Sequence, residues 1–107
     1  MNIITNDNEK NSRALNALKN VIDPEIGLNV VDLGLIYQID FDEIEKKVYC
    51  SMTLTTRFCP MGESISMGVT NALNQTFQGF ETDVKVIFDP PWNSQRITDK
   101  GREILNQ

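Results

Sequence analysis

The strongest constraint in this chain is a change of hydrophobic period at Cys59-Pro60. Before it, Val48, Cys50, Met52 and Leu54 alternate with Tyr49, Ser51, Thr53 and Thr55, the period-two pattern of a strand with its first set on a core. From Pro60 to about Phe77 the spacing is helical, with Ile65, Val69, Ala72, Leu73 and Phe77 in one stripe and Gly79 placed as a stop signal. Alternation returns at Val84, Val86 and Phe88. Strand, helix and strand in that order form a crossover unit, which is right-handed and makes its two strands parallel.

The remaining segments attach to that unit. Leu35, Ile36, Tyr37, Ile39 and Phe41 predict a further strand, joined to the next by the charged, hairpin-length "DEIEKK". Lys10 to Val21 predicts a helix whose stripe is Ala14, Leu15, Leu18 and Ile22, ended by Asp23-Pro24 because the residue before a proline is pushed out of the helical region. "EIGLNVVDLG" reads as a long loop punctuated by Gly27 and Gly34, and Ser94 to Leu105 as a last helix carrying Ile97, Ile104 and Leu105. The order is α-β-β-α-β-α. That predicts an α+β, two-layer domain with a small mixed three-stranded sheet and helices on one face. Residues 1–9 are expected as a flexible polar tail and residues 10–107 as a single domain, since 107 residues suffice for one core only.

Composition narrows the chemistry. The chain has no histidine, which removes Ser-His-Asp and Cys-His pairs, HExxH zinc sites and histidine-based iron triads. It has no GxGxxG and no Walker loop. Net charge is −5 with Lys and Arg scattered, so a nucleic-acid footprint is not expected. No apolar run approaches the ~20 residues of a membrane span, and the polar start lacks a secretory core, so a cytoplasmic protein is expected. Two cysteines do not make a disulfide framework.

Of the two, Cys50 falls between Val48 and Met52 on the core face and is expected to be structural. Cys59 precedes Pro60, a residue suited to the first helical position, which makes Cys59 the expected N-cap. There the helix dipole and unpaired amides favour thiolate. The competing account is an inert apolar filler. "IDPEIG" offers the Asp23 and Glu25 carboxylates, or simply a turn; "TLTT" offers Thr53, Thr55 and Thr56, or simply an exposed β-face. "DPPW" reads as architectural, with Trp92 at the core edge.

Taken together, "VIDPEIGLNVVDLGLIY", "MTLTTRFCPMG" and "VIFDPPWN" resemble, in order and spacing, the small iron–sulfur assembly domain family typified by SufT. PaaD-like proteins and the eukaryotic cytosolic iron–sulfur targeting factors share that domain. The resemblance spans roughly residues 10–105. It implies a domain related to the C-terminal domain of NifU-type scaffolds, a role in maturing iron–sulfur proteins, and a site at Asp23, Glu25, Thr55, Thr56 and Cys59. Arg57-Phe58 departs from the small pair often found before the cysteine. The chain also lacks the cysteine-rich tail of PaaD-type proteins, which argues against the phenylacetate-oxygenase subfamily.

The function expected is therefore a non-enzymatic assembly or maturation factor, acting as adaptor or transient carrier through Cys59. Its partners would be the iron–sulfur assembly machinery and client apoproteins. An oxygenase subunit and a small thiol-dependent enzyme are the alternatives. Clusters typically take four thiolates, so no stably bound cofactor is expected, only transient iron or a transient cluster. Two geometries stay open: Cys59 from two subunits of a homodimer, with Asp23, Glu25 or an external thiol completing the shell, or handover in which a client or partner supplies the other ligands.

Overall fold

A computed structural model of the chain describes residues 3–56 and 62–106. The order is β1 (Ile4–Thr5), α1 (Asn8–Leu18), β2 (Ile22–Asp23), β3 (Leu28–Asn29), β4 (Ile36–Asp42), β5 (Lys47–Met52), α2 (Gly62–Thr76), β6 (Glu81–Val86), a 3-10 turn (Ser94–Arg96) and α3 (Asp99–Leu105). β4 and β5 form the expected antiparallel hairpin, and β5 and β6 pair in parallel across α2. The sheet has four strands rather than three, in the order β1-β4-β5-β6, with β2 and β3 as a separate small ladder. The α+β class and the mixed sheet stand.

The difference lies in the N-terminal segment. Ile4 and Thr5 pair in parallel with Gln38 and Ile39, where a frayed tail was expected. Asn6 exchanges two hydrogen bonds with the Phe41 backbone, each 2.9 Å, and Asp7 caps α1 by accepting from the Lys10 N–H at 3.0 Å. Polar residues here satisfy strand and helix ends, which a composition argument reads as disorder.

α1 also ends earlier than its stripe suggests. Lys19 closes it, and Ile22 turns out half-exposed to pair with Asn29 in the β2–β3 ladder. "EIGLNVVDLG" is no loose loop: Leu28, Val30, Val31, Leu33 and Leu35 are buried in the core with Ala14, Leu18, Ile39, Val48, Cys50, Val69 and Leu73. α1 and α2 thereby cover one face of the sheet, and Gln38, Asp40, Tyr49, Ser51, Asp83 and Lys85 alternate onto the other. Thr53, expected on that outer face, is fully buried because β5 ends at Met52 and the alternation ends with it.

A buried polar cluster holds this irregular segment and the C-terminus together. Asn29 Oδ1 accepts the Val31 and Asp32 N–H groups, and Asn29 Nδ2 donates to Asp32 Oδ2 at 2.7 Å. Asp32 Oδ1 accepts the Thr98 hydroxyl at 2.8 Å, and the Asp32 carbonyl accepts the Thr98 N–H. Thr98 caps α3, which explains why the expected single helix from Ser94 to Leu105 is split at Ile97. Gly34 sits at φ +79°, and a Cβ there would run into the Arg96 carbonyl. Only glycine tolerates both the left-handed backbone and the close approach.

Burial alone pushes the Asp32 carboxyl up, but the Asn29 and Thr98 hydrogen bonds outweigh it and hold the group below its ordinary value of 3.8. A depressed folded pKa stabilises above the unfolded value and is lost as pH falls through the folded one. Urea unfolding should therefore show stability declining as pH drops below ~4, and Asp32→Asn should flatten that slope while costing about 1–2 kcal/mol at neutral pH. Gly34→Ala should lower stability by about 2 kcal/mol or more, read as a drop in melting temperature.

Candidate functional site

Parallel pairing puts the carboxyl ends of β5 and β6 at one edge of the sheet, the place where open α/β sheets bind ligands. The Ile87 N–H donates to the Met52 carbonyl at 2.8 Å, so pairing persists to the point where the two chains part. Between them opens a cleft of about 550 Å³, lined by Leu54, Thr55 and Thr56 from one strand and by Phe88, Asp89, Pro91 and Trp92 from the other. Its walls are braced from behind. The Trp92 indole N–H donates to the Leu33 carbonyl at 2.7 Å, and the Tyr37 hydroxyl donates to the Pro90 carbonyl at 2.8 Å. Gly62 opens α2 against Leu54, and a Cβ there would stand 2.6 Å from Leu54 Cδ1, so the cleft lies beside the first turn of that helix.

The structure brings Thr55 and Thr56 into this cleft. Cys59, with Arg57, Phe58 and Pro60, lies outside the described residues. Asp23 is buried at 1 % exposure, and its carboxylate accepts the Glu25 N–H at 2.9 Å while its carbonyl accepts the Gly27 N–H at 2.8 Å. That is the turn-making role, seen directly. Glu25 is exposed in the same turn, and neither carboxylate lines the cleft.

Sequence reasoning missed Asp89 and the face of Trp92. "DPPW" is architectural through its Trp92 and Pro90 hydrogen bonds, yet it also supplies one wall of the cleft. The signal was available: a crossover that makes two strands parallel must bring "TLTT" and "FDPPW" side by side.

Cys50 is sealed in the core at 1 % exposure, and burial pushes its thiol up to about 12. Among the described residues no three of His, Cys, Asp and Glu cluster closely enough to hold a metal ion. Nor is any helix among them long and apolar enough to cross a membrane.

A small α+β domain with a cleft at the carboxyl edge of a parallel strand pair is the class the geometry defines. The description "iron–sulfur cluster assembly protein" belongs to the family model that matches residues 11–86. The chain is 36% identical over 84 residues to the Fe-S protein maturation auxiliary factor YitW of Bacillus subtilis, covering 78% of this chain and 81% of that protein. It is 37% identical over 78 residues to the Fe-S protein maturation auxiliary factor SufT of Staphylococcus aureus, covering 73% and 88%. The crystal structure of a Bacillus anthracis domain of unknown function, DUF59, superposes with a TM-score of 0.82 at 33% identity, covering 90% of each chain. This chain belongs to the SufT-like iron–sulfur cluster assembly family.

Thiol labelling tests the separation of the two cysteines. In the native protein, peptide mapping after iodoacetamide should find Cys50 unmodified, and the same reagent in denaturant should label it fully.

Proposed function

We propose that this protein is an iron–sulfur maturation factor that hands iron or a preformed cluster to client apoproteins through the Cys59 thiolate, without holding the cargo as its own cofactor. The observation that carries the reading is the burial of Cys50. The chain has two cysteines and no histidine, and one of those cysteines is sealed in the core. A single thiolate remains where a cluster typically takes four. The other ligands must come from a donor, from a client or from a second copy of the chain, and exchange between them is the natural consequence of an incomplete shell.

Placement supports the same reading. Cys59 falls in the chain between the threonines of the cleft and the start of α2. In this reading Cys59 is the helix N-cap expected from the sequence, where dipole and amides stabilise a thiolate. Asp23 and Glu25 act in this reading through the turn they build. A nucleophilic enzyme is disfavoured, because no histidine is present to serve as a base.

The test is anaerobic transfer from a cluster-loaded scaffold protein to an apoprotein with a [4Fe–4S] site, followed by recovery of the client's absorption and activity. Wild type should accelerate transfer, and Cys59→Ser should fall to the rate of the mixture without this protein, with its melting temperature unchanged. Full acceleration by Cys59→Ser would refute the thiol reading.

A further inference from the structure

On the sheet face that α1 and α2 leave uncovered, a second recess of about 300 Å³ lies next to Arg96. The Arg96 guanidinium carbon stands 4.2 Å from the centroid of the Tyr37 ring, and its Nε–H donates to the Gly34 carbonyl at 3.1 Å. A register shift between Ile36 and Gln38 makes Tyr37 the extra residue of a bulge, a device that re-aims a side chain. Stack and hydrogen bond together fix the plane of the guanidinium. Among the described residues no carboxylate lies within ion-pair distance of it, although the chain carries a net charge of −5. An arginine pre-oriented in this way, whose terminal nitrogens donate to no side chain or carbonyl among the described residues, is built to take a carboxylate in a bidentate pair.

The surroundings say what bears that carboxylate. Ile4, Ile87 and Pro90 form apolar walls, and Ile4 is 63% exposed. Gln38 and Ser51 make the polar floor, and Lys85, in register with Ser51, adds a second cation beside it. The neighbouring row, Asp40, Tyr49 and Asp83, is acidic, and the Asp40 carboxylate accepts the Gln38 side-chain amide at 2.6 Å, so that edge repels an anion and leaves the Arg96 end of the recess as the place for a carboxylate. A bare anion would satisfy Arg96 and leave the apolar walls wet. A polypeptide segment with an acidic side chain next to an aliphatic one satisfies both.

We propose that this recess docks an acidic, aliphatic-flanked segment of a partner polypeptide, with Arg96 as the carboxylate-binding residue. The chain from Ile87 to Trp92 is the shared wall between recess and cleft. Ile87 and Pro90 face the recess; Phe88, Asp89, Pro91 and Trp92 face the cleft. A partner held on one side therefore lies one strand's thickness from the cleft on the other. The inference goes beyond the thiol reading and does not rest on it.

The experiment is an amide-shift titration of the ¹⁵N-labelled full chain with acetyl-Leu-Glu-Leu-amide. Saturable shifts should appear at Tyr37, Ser51, Ile87 and the Arg96 Nε–H. Acetyl-Leu-Gln-Leu-amide should bind about tenfold more weakly, and Arg96→Lys should weaken the Glu peptide by about fivefold. Arg96 also ties down Gly34, so Ser51→Glu provides a second variant: it places a carboxylate in the recess, breaks no hydrogen bond of the fold, and should abolish binding with the spectrum otherwise intact. Cys59→Ser should bind as wild type does, which keeps this result separate from the transfer assay. Equal affinity for the Glu and Gln peptides, shifts centred on Thr55 and Asp89, or acetate matching the peptide at the same concentration would each overturn the proposal.

Discussion

The parallel pairing of β5 with β6 is the constraint on which the rest of the molecule depends. Two strands joined through a helix on one face must run the same way, so both deliver their carboxyl ends to one edge. The lining of the cleft collects there: the threonines leaving β5 and the Asp89 to Trp92 run leaving β6, beside the first turn of α2. Reversing the direction of β6 would carry "DPPW" to the far end of the sheet and abolish the cleft.

That edge stays shaped because the C-terminal third is bolted to the segment between β3 and β4. Thr98 binds Asp32, Arg96 binds Gly34 and stacks on Tyr37, and Trp92 binds Leu33. These contacts bridge roughly sixty residues of sequence, and polar side-chain groups of the C-terminal third meet a carboxylate and the backbone carbonyls of buried residues. Each is a modest hydrogen bond, worth about 1 kcal/mol net, but the buried ones are costly to leave half made. The cleft wall and the recess wall are two sides of the strap so held. Stability and the geometry of both surfaces are thus one matter in this domain.

The sulfur count gives the site its character. With Cys50 closed off by the core and no histidine in the chain, the protein has no closed shell of soft ligands to offer a cluster. A factor of this family that passes cargo on has good reason to be built so, because a complete ligand set retains what it binds. Under the proposed function, the incompleteness of the site is what makes release possible.

Much of this was legible in the sequence, for a definite physical reason. Periodicity reports which face of an element meets a core, so the hairpin, the crossover helix and the direction of β6 all followed from the spacing of Val48 to Leu54, Ile65 to Phe77 and Val84 to Phe88. Three motifs in register were enough to suggest the family. Periodicity is silent about segments that bury residues without repeating, so "EIGLNVVDLG" passed for a loop while its leucines and valines filled the core, and Ile4-Thr5 passed for a tail. The tertiary structure alone decided that Asp23 spends its carboxylate on its own turn, that Asp89 faces a cleft and that Arg96 lies flat on Tyr37. The first was a choice between two local readings, and the second follows from the crossover only once its strands are paired; the third depends on a carbonyl and a ring coming within 3.1 and 4.2 Å of Arg96 across roughly sixty residues, a long-range proximity that no local pattern encodes.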